Sequence, residues 1–354
     1  MLYKRTIKNP PEKIVQNGKA DFGDFNYPPR WLSVQHLKQP FSLIPLPNFI
    51  TKTRIRTNLS FSFVFDDYDG SIEIIDGIYF YFVEIILLEK ETKRKLSYRS
   101  LALKLHTIPV TAQKGTVRCS KKDRYILIKW DYAKNLFSIA CRLKQDKVRP
   151  SFDFAFTAPL SKEQSGTLVS VVPSPTKRRC SATHTIALSL TGNIAARSPV
   201  LLANPFVKEG LGVFTIRRAF YSLRTVSESV VMQGFVADKK IQLAIYTSSQ
   251  DSADSDLFNE NVLFVDNDVT TIPPVTITHS RGLKKKWIIQ DTENMVDLTF
   301  TPSNYSNRIN SILVLRTDYT FLLGTCEGTI CDNDGTLIPV KSMPAAVKKI
   351  YLRM

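Results

Sequence analysis

The sequence predicts an all-β fold made of antiparallel strands, on three observations. Between residues 293 and 301, Val296, Leu298 and Phe300 alternate with Asp297, Thr299 and Thr301, the period of two expected of a strand with one buried face. Further on, the apolar runs YTFLLGTCEGTIC and TLIPV flank Asp332-Asn333-Asp334-Gly335, whose glycine can take positive φ and close a hairpin. Third, short strand-like runs follow one another through local polar turns with no helix-length pattern between them, which excludes a doubly wound α/β fold.

Taken in order, the first fifty residues hold Pro10, Pro11, Pro28, Pro29, Pro40, Pro45 and Pro47. Each proline removes a backbone donor, so the segment reads as an extended arm (1–50) rather than a long helix or a central strand. Phe22, Phe25, Tyr27 and Trp31 pin that arm to the barrel or lie over its mouth as a lid. A first β domain is placed at 51–175. It contains RTNLSFSFVF, IYFYFVEIILL, RSLALKLHTIPV, RYILIKWDY, LFSIACRLKQ and SFDFAFTA, with a turn at Asp131 to Asn135. Composition shifts to Ser, Thr and Pro around PSPTKRRC, which sets the junction, and a second domain is placed at 176–354. It opens on HTIALSLTG. Asp238-Lys239-Lys240 and the segment from Asp291 to Asn294 turn two of its hairpins. Gly324, Cys326 and Gly328 share a strand face that admits close packing. At the end, Ser342 caps a short helix with Pro344 in its first turn and Met343, Val347 and Ile350 on one face.

With 354 residues, 43% of them hydrophobic, the chain can bury two cores. The formal net charge of +16 gives it a general attraction for anionic lipid, nucleic acid and acidic partners. The bases are scattered, with clusters at Lys93-Arg94-Lys95, Lys121-Lys122, Lys177-Arg178-Arg179 and Lys284-Lys285-Lys286, and no specific nucleic-acid reading follows. Cys119, Cys141, Cys180, Cys326 and Cys331 form no CxxC pair; Cys326 and Cys331 would stand roughly 16 Å apart on one strand, so reduced thiols and a cytoplasmic location are expected. No secretory signal or transmembrane segment is read: residues 77–88 are apolar but short and contain Glu84.

No catalytic motif stands out. His36, His106, His184 and His279 have no neighbours at metal-ligand spacing, and the acidic run Asp251, Asp254, Asp256 and Glu260 lacks the glycine of a calcium loop and reads as a solvated turn, so neither metal nor cofactor is expected. GxSxG, HExxH, Walker and dinucleotide fingerprints are absent.

Asn294 to Phe300, Arg308, Asn310 and GTCEGTICDNDGTLIPVKSM resemble the C-terminal end of domain-of-unknown-function family 2804, whose members close on FG, GT and DDG elements in that order. GKADFGDFNYPP, IIDGIYFYFVEI, GLGVF and NENVLFVDN fall in the family's order upstream. The resemblance implies two successive lipocalin-like β-barrels or curved sheets, distantly similar to carotenoid hydratases. It brings no settled activity. Family members carry FG..DWGRG.W at the start of the second half. Against that pattern this sequence has Thr215 for aspartate, Ile216 for tryptophan and Ala219 for glycine, and Thr320 for a histidine near the end. Neither Thr nor Ile replaces a carboxylate or an imidazole near neutral pH, which argues against catalysis.

Arg218 persists from the pattern and is the candidate anchor inside a barrel, as a ligand contact or as a structural ion pair with Glu228. Arg217 must point to the opposite face. With Arg218, the aromatics Phe214, Tyr221 and Trp287 form the expected ligand-contacting set. Three functions are weighed: non-catalytic binding of an apolar small molecule or lipid in a barrel cavity, a hydratase or isomerase on an apolar substrate, and an interaction protein using its basic surface. The first leads. Oligomeric state is not legible.

Overall fold

A computed structural model of the chain describes residues 3–41, 46–76, 80–103, 108–121, 124–145, 149–196, 207–280, 282, 284–312 and 315–353. Pro45, His106 and Lys122, named above, lie outside the described residues. Two curled sheets, antiparallel except where Ile7–Lys8 pairs with Gly23–Phe25, stand back to back. The first holds β1 (Ile7–Lys8), β4 (Gly23–Phe25), β5 (Ile55–Val64), β6 (Tyr68–Asp76), β7 (Phe80–Glu89), β8 (Arg94–Leu103), β9 (Lys114–Lys121), β10 (Arg124–Asp131), β11 (Leu136–Leu143), β12 (Phe152–Ala158), β13 (Ser165–Pro173), β14 (Cys180–Ala196) and β15 (Lys208–Phe220). The second holds β16 (Arg224–Val236), β17 (Lys239–Ser248), β18 (Val262–Val265), β19 (Asp268–Thr271), β20 (Val275–His279), β21 (Trp287–Asp291), β22 (Val296–Ile312), β23 (Leu315–Cys331) and β24 (Leu337–Arg353). A small ribbon pairs β2 (Val15–Gln16) with β3 (Lys19–Ala20), and α1 (Asn48–Lys52) is a single helical turn and a half. The two half-barrels are the all-β architecture that the alternation predicts.

Period-two patterning fills both barrels. Leu59, Phe61 and Phe63 of β5, Ile72 and Ile74 of β6, and Phe152, Phe154 and Phe156 of β12 point into the first core. The rings there touch: Phe65 stacks on Phe156 with centroids 4.6 Å apart and Phe154 on Phe156 at 4.9 Å. Met232, Leu243, Trp287, Leu298, Phe300, Leu322 and Val347 build the second core.

Residues that alternate with inward positions would face water on an isolated barrel, but along part of each sheet they meet the other sheet. Ile86 and Leu88 of β7 pack on Tyr319, Phe321, Leu323 and Ala346, while Leu168 and Ala187 pack on Val262 and Phe264. Polar side chains cross between these apolar patches. The Lys348 ammonium reaches Glu73 and donates to Ser60 Oγ at 2.6 Å; Arg99 pairs with Glu84 at 2.5 Å and donates to Ser306 at 2.7 Å. Arg5, from the N-terminal arm, pairs with Asp24 at 2.6 Å and donates to the carbonyls of Asn261 and Ile272, tying the arm to the second sheet.

Two expectations give way. The proposed C-terminal helix is strand β24, lying between β16 and β23. Ala345 and Val347 enter the second core while Ala346 and Lys348 face the first sheet, so both faces are buried with a period of two, and the helical spacing of Met343, Val347 and Ile350 was fortuitous. Pro339 and Pro344 fit there because pairing with β16 begins only at Ala345. Second, the Ser/Pro-rich segment taken as the junction is the hairpin turn between β13 and β14, where Pro173 pairs with Cys180. Strands β14 and β15 complete the first sheet; the chain changes sheet in the three residues between Phe220 and Arg224.

The hairpin at Asp332 forms as expected, with Cys331 opposite Leu337, Gly335 at φ 82° and the Asp332 carboxylate accepting from the backbone of Asp334 and Thr336. Gly328 sits at φ 139° beside a bulge, and a Cβ there would stand 2.0 Å from the Asp297 carbonyl oxygen. Gly328→Ala is therefore expected to destabilise by at least about 2 kcal/mol in urea unfolding, from backbone strain and the forced retreat of β22. An unchanged midpoint would show that the bulge can relax.

Candidate functional site

Among the described residues, two cavities lined by polar and apolar side chains together are the candidates, and their sizes differ enough to decide between them. One lies in the seam between the sheets. Asn58 and Ser60 of β5, Thr183 and Thr185 of β14 and Thr215 of β15 line it from the first sheet, facing Ser227, Ser229, Val231, Tyr246 and Ile350 of the second. Arg217 crosses it. Its Nε pairs with Glu260 at 2.9 Å, its Nη1 donates to Tyr221 Oη at 3.0 Å, and its guanidinium lies 4.0 Å over the Tyr246 ring. Burial alone would lower the pKa of Arg217, but Glu260, with Tyr246 and Tyr221, outweighs it and holds the guanidinium charged. Ser181 completes the set by donating to Glu260 at 2.5 Å. The seam cavity measures about 70 Å³, well below the ~150 Å³ of a cavity known to take up benzene. It suits ordered water, which would satisfy Asn58 Oδ1 and Thr183 Oγ1, both buried without a partner among the described residues.

The second cavity, about 190 Å³, opens at the end of the first barrel. Its floor is Tyr132, placed by the short 3-10 turn between β10 and β11; Asp131 caps that turn through the Lys134 N–H, and Asn135 leaves it in the left-handed conformation. Leu160, Ser161, Lys162, Ser165 and Thr167 form one wall, the arm supplies Ile7, Asn26 and Tyr27, and Asn267, Asp268 and Val269 close it from the second sheet. Tyr27 meets Tyr132 edge to face at 5.1 Å. The arm therefore does lie over the barrel end at this residue, whereas Phe25 is buried as an anchor.

Below the floor, Tyr132 Oη stands 3.0 Å from His184 Nε2 and 3.1 Å from Thr167 Oγ1. His184 is fully buried, and its Nδ1 has no partner among the described residues. Desolvation pushes the His184 imidazole down to about 3 and pushes the Tyr132 phenol upward, so both are neutral through the physiological range. A general acid or base works best with a pKa near the operating pH. This pair titrates far to either side of it and can offer hydrogen bonds rather than proton transfer.

The residues singled out from sequence do not converge on either cavity. Phe214 is buried between Trp130 and Phe137, and Arg218 points into the first core beside it, donating from Nη2 to the carbonyls of Ile108 at 2.8 Å and Pro109 at 2.5 Å. Its proposed partner Glu228 belongs instead to the second sheet, where it pairs with Lys349 at 2.7 Å and lies 3.5 Å from His279. Trp287 fills the second core against His279. Tyr221 alone of the four reaches a seam group, Arg217. Thr215 lines the seam, Ile216 enters the first core, and Thr320 pairs with Lys349 in the second sheet, so the positions departing from the family pattern are spread over three environments. Glu260, read as part of a solvated turn, is a buried ion-pair partner. Sequence reading missed His184 and Tyr132 as a pair, since only the barrel brings residues fifty apart to one end.

Among the described residues no helix is long and apolar enough to cross a membrane, and no three His, Cys, Asp or Glu side chains gather as metal ligands would. Compared with solved structures, the chain is similar to CghA (8% identity, 85% of this chain and 88% of that one, TM-score 0.43). It is also similar to a protein of Nitrosomonas europaea assigned as AttH (8%, 89% and 98%, 0.45) and to kievitone hydratase from Nectria haematococca (10%, 83% and 88%, 0.43). No curated protein matches it significantly in sequence. The sequence pattern that defines DUF2804, a domain of unknown function, matches residues 54–353, and the chain belongs to that family.

Proposed function

We propose that this protein binds an apolar small molecule or the end of a lipid without transforming it, and that the ligand sits in the cavity at the end of the first barrel. The observation that carries the reading is a 190 Å³ space in which Tyr27, Tyr132, Leu160, Ile7 and Val269 supply apolar surface while Asn26, Thr167, Asn267, Lys162 and Asp268 are among the polar side chains that line it. Apolar surface with convergent polar groups is the usual make-up of a small-molecule site. A site inside the barrel, as the sequence suggested, fits less well, because stacked phenylalanines occupy that core. Binding is favoured over a hydratase or isomerase because the Tyr132–His184 pair at the floor stays neutral on both sides.

Native mass spectrometry of the purified chain, before and after exposure to a lipid extract, tests this. A stoichiometric adduct is expected, and Thr167→Trp, which fills the cavity, is expected to weaken its capture at least about tenfold. A clean apo mass after exposure, or equal capture by Thr167→Trp, overturns the reading.

A further inference from the structure

The helix α1 is built inside out. Thr51 is its buried side chain, at 4% exposure, while Phe49 and Ile50 are 70% and 39% exposed. A helix of five residues does not hold itself together, and one docked on a barrel ordinarily turns its apolar residues inward. Leu223, 60% exposed, stands at the same end, because the Tyr221 N–H donates to the Arg54 carbonyl just after the helix and Phe220 pairs with Ile55.

Cations surround these three side chains. Arg54 and Arg179 both lie on the ring of Phe41, which packs on Phe220. Arg179 donates to Ser222, one residue before Leu223. Lys52, Lys177, Arg178 and Arg224 are exposed around them, and Arg224 has Arg353 opposite on β24. The acidic groups nearby are Asp76, buried beside Arg56, and the exposed Asp251, Asp254 and Asp256 of the loop that joins this end where Ala253 donates to the Pro175 carbonyl and Ser222 donates to Gln250. The cations outnumber these carboxylates.

We propose that this end of the molecule docks on an anionic lipid bilayer, with Phe49, Ile50 and Leu223 entering the interfacial region and Lys52, Lys177, Arg178 and Arg224 binding headgroup phosphates. Exposed apolar side chains ringed by Lys and Arg match both layers of such a surface: the apolar residues enter the acyl boundary and the cations meet the negative leaflet. A net charge of +16 adds attraction at longer range. Nucleic acid would use the cations and could stack a base on Phe49, but it gives the aliphatic Ile50 and Leu223 no π-face to stack with, whereas a bilayer buries all three.

The test is co-sedimentation of the full chain with phosphatidylcholine vesicles, with and without phosphatidylglycerol. Binding is expected only when phosphatidylglycerol is present, and it should fall at least about tenfold in Phe49→Ser/Leu223→Ser and, separately, in Lys177→Glu/Arg178→Glu. All four side chains are exposed, so the variants keep the fold, which their melting curves will confirm. Equal partition onto both vesicle types overturns the proposal. So does undiminished binding by Phe49→Ser/Leu223→Ser, which would mark plain charge attraction of the kind nucleic acid also feels. Neither variant touches the barrel-end cavity, so failure here leaves the ligand reading standing, and loss of ligand capture in Thr167→Trp leaves docking standing.

Discussion

Replacing Lys348 with Met is expected to cost about 3–5 kcal/mol of stability, measured by urea unfolding. Lys348 and Glu73 are both almost wholly buried, on different sheets, and the ammonium also serves Ser60. Their pairing is no large net gain over an apolar contact, since both ions lost their hydration. Breaking it from one side is another matter: Glu73 would stay buried without its counter-ion, with Glu84 opposite it on the neighbouring strand and Glu73 Oε2 already without a partner among the described residues. Lys348→Met/Glu73→Leu should therefore recover most of what the single change loses. A loss under about 1 kcal/mol in the single variant would show that water reaches Glu73 and screens the pair.

Acidification should weaken the fold through His184. In the folded chain its imidazole stays neutral down to about pH 3, whereas in the unfolded chain it takes up a proton at its ordinary value near 6.5. Between these values the unfolded state binds the extra proton, so stability rises with pH and is lost as pH falls from 6.5 toward 3. From pH 6.5 to 4.5 the contribution is about 2 kcal/mol. His184→Gln keeps a hydrogen-bonding group near Tyr132 but cannot titrate. Its stability should fall less over that range by that difference, whatever its stability at neutral pH. Identical slopes for the two proteins would mean that His184 is protonated in the folded state and its surroundings are wetter than the geometry implies.

Strand identity was legible wherever one face of a strand is wet. Val296, Leu298 and Phe300 against Asp297, Thr299 and Thr301 declare both the strand and its inner face, and Asp332 with Gly335 declares the hairpin. Legibility failed where both faces are buried. In β24, Lys348 would have been taken for a solvent residue, and Ala345, Ala346 and Val347 in a row leave no alternation to read. The same limit hid Arg217, on the outer face of a barrel strand, and Glu260, in the loop before β18, because neither looks different in sequence whether water or a second sheet covers it.

By itself, then, the sequence determined the antiparallel all-β architecture, most of the turns and the family, all of which rest on neighbours close along the chain. Tertiary structure decided the rest. It assigned β14 and β15 to the first sheet, made β24 a central strand, buried charges between the sheets and set Tyr27 across from Tyr132 over His184. Those outcomes depend on which barrel face meets another barrel. That is a matter of long-range burial and desolvation, for which local periodicity carries no signal.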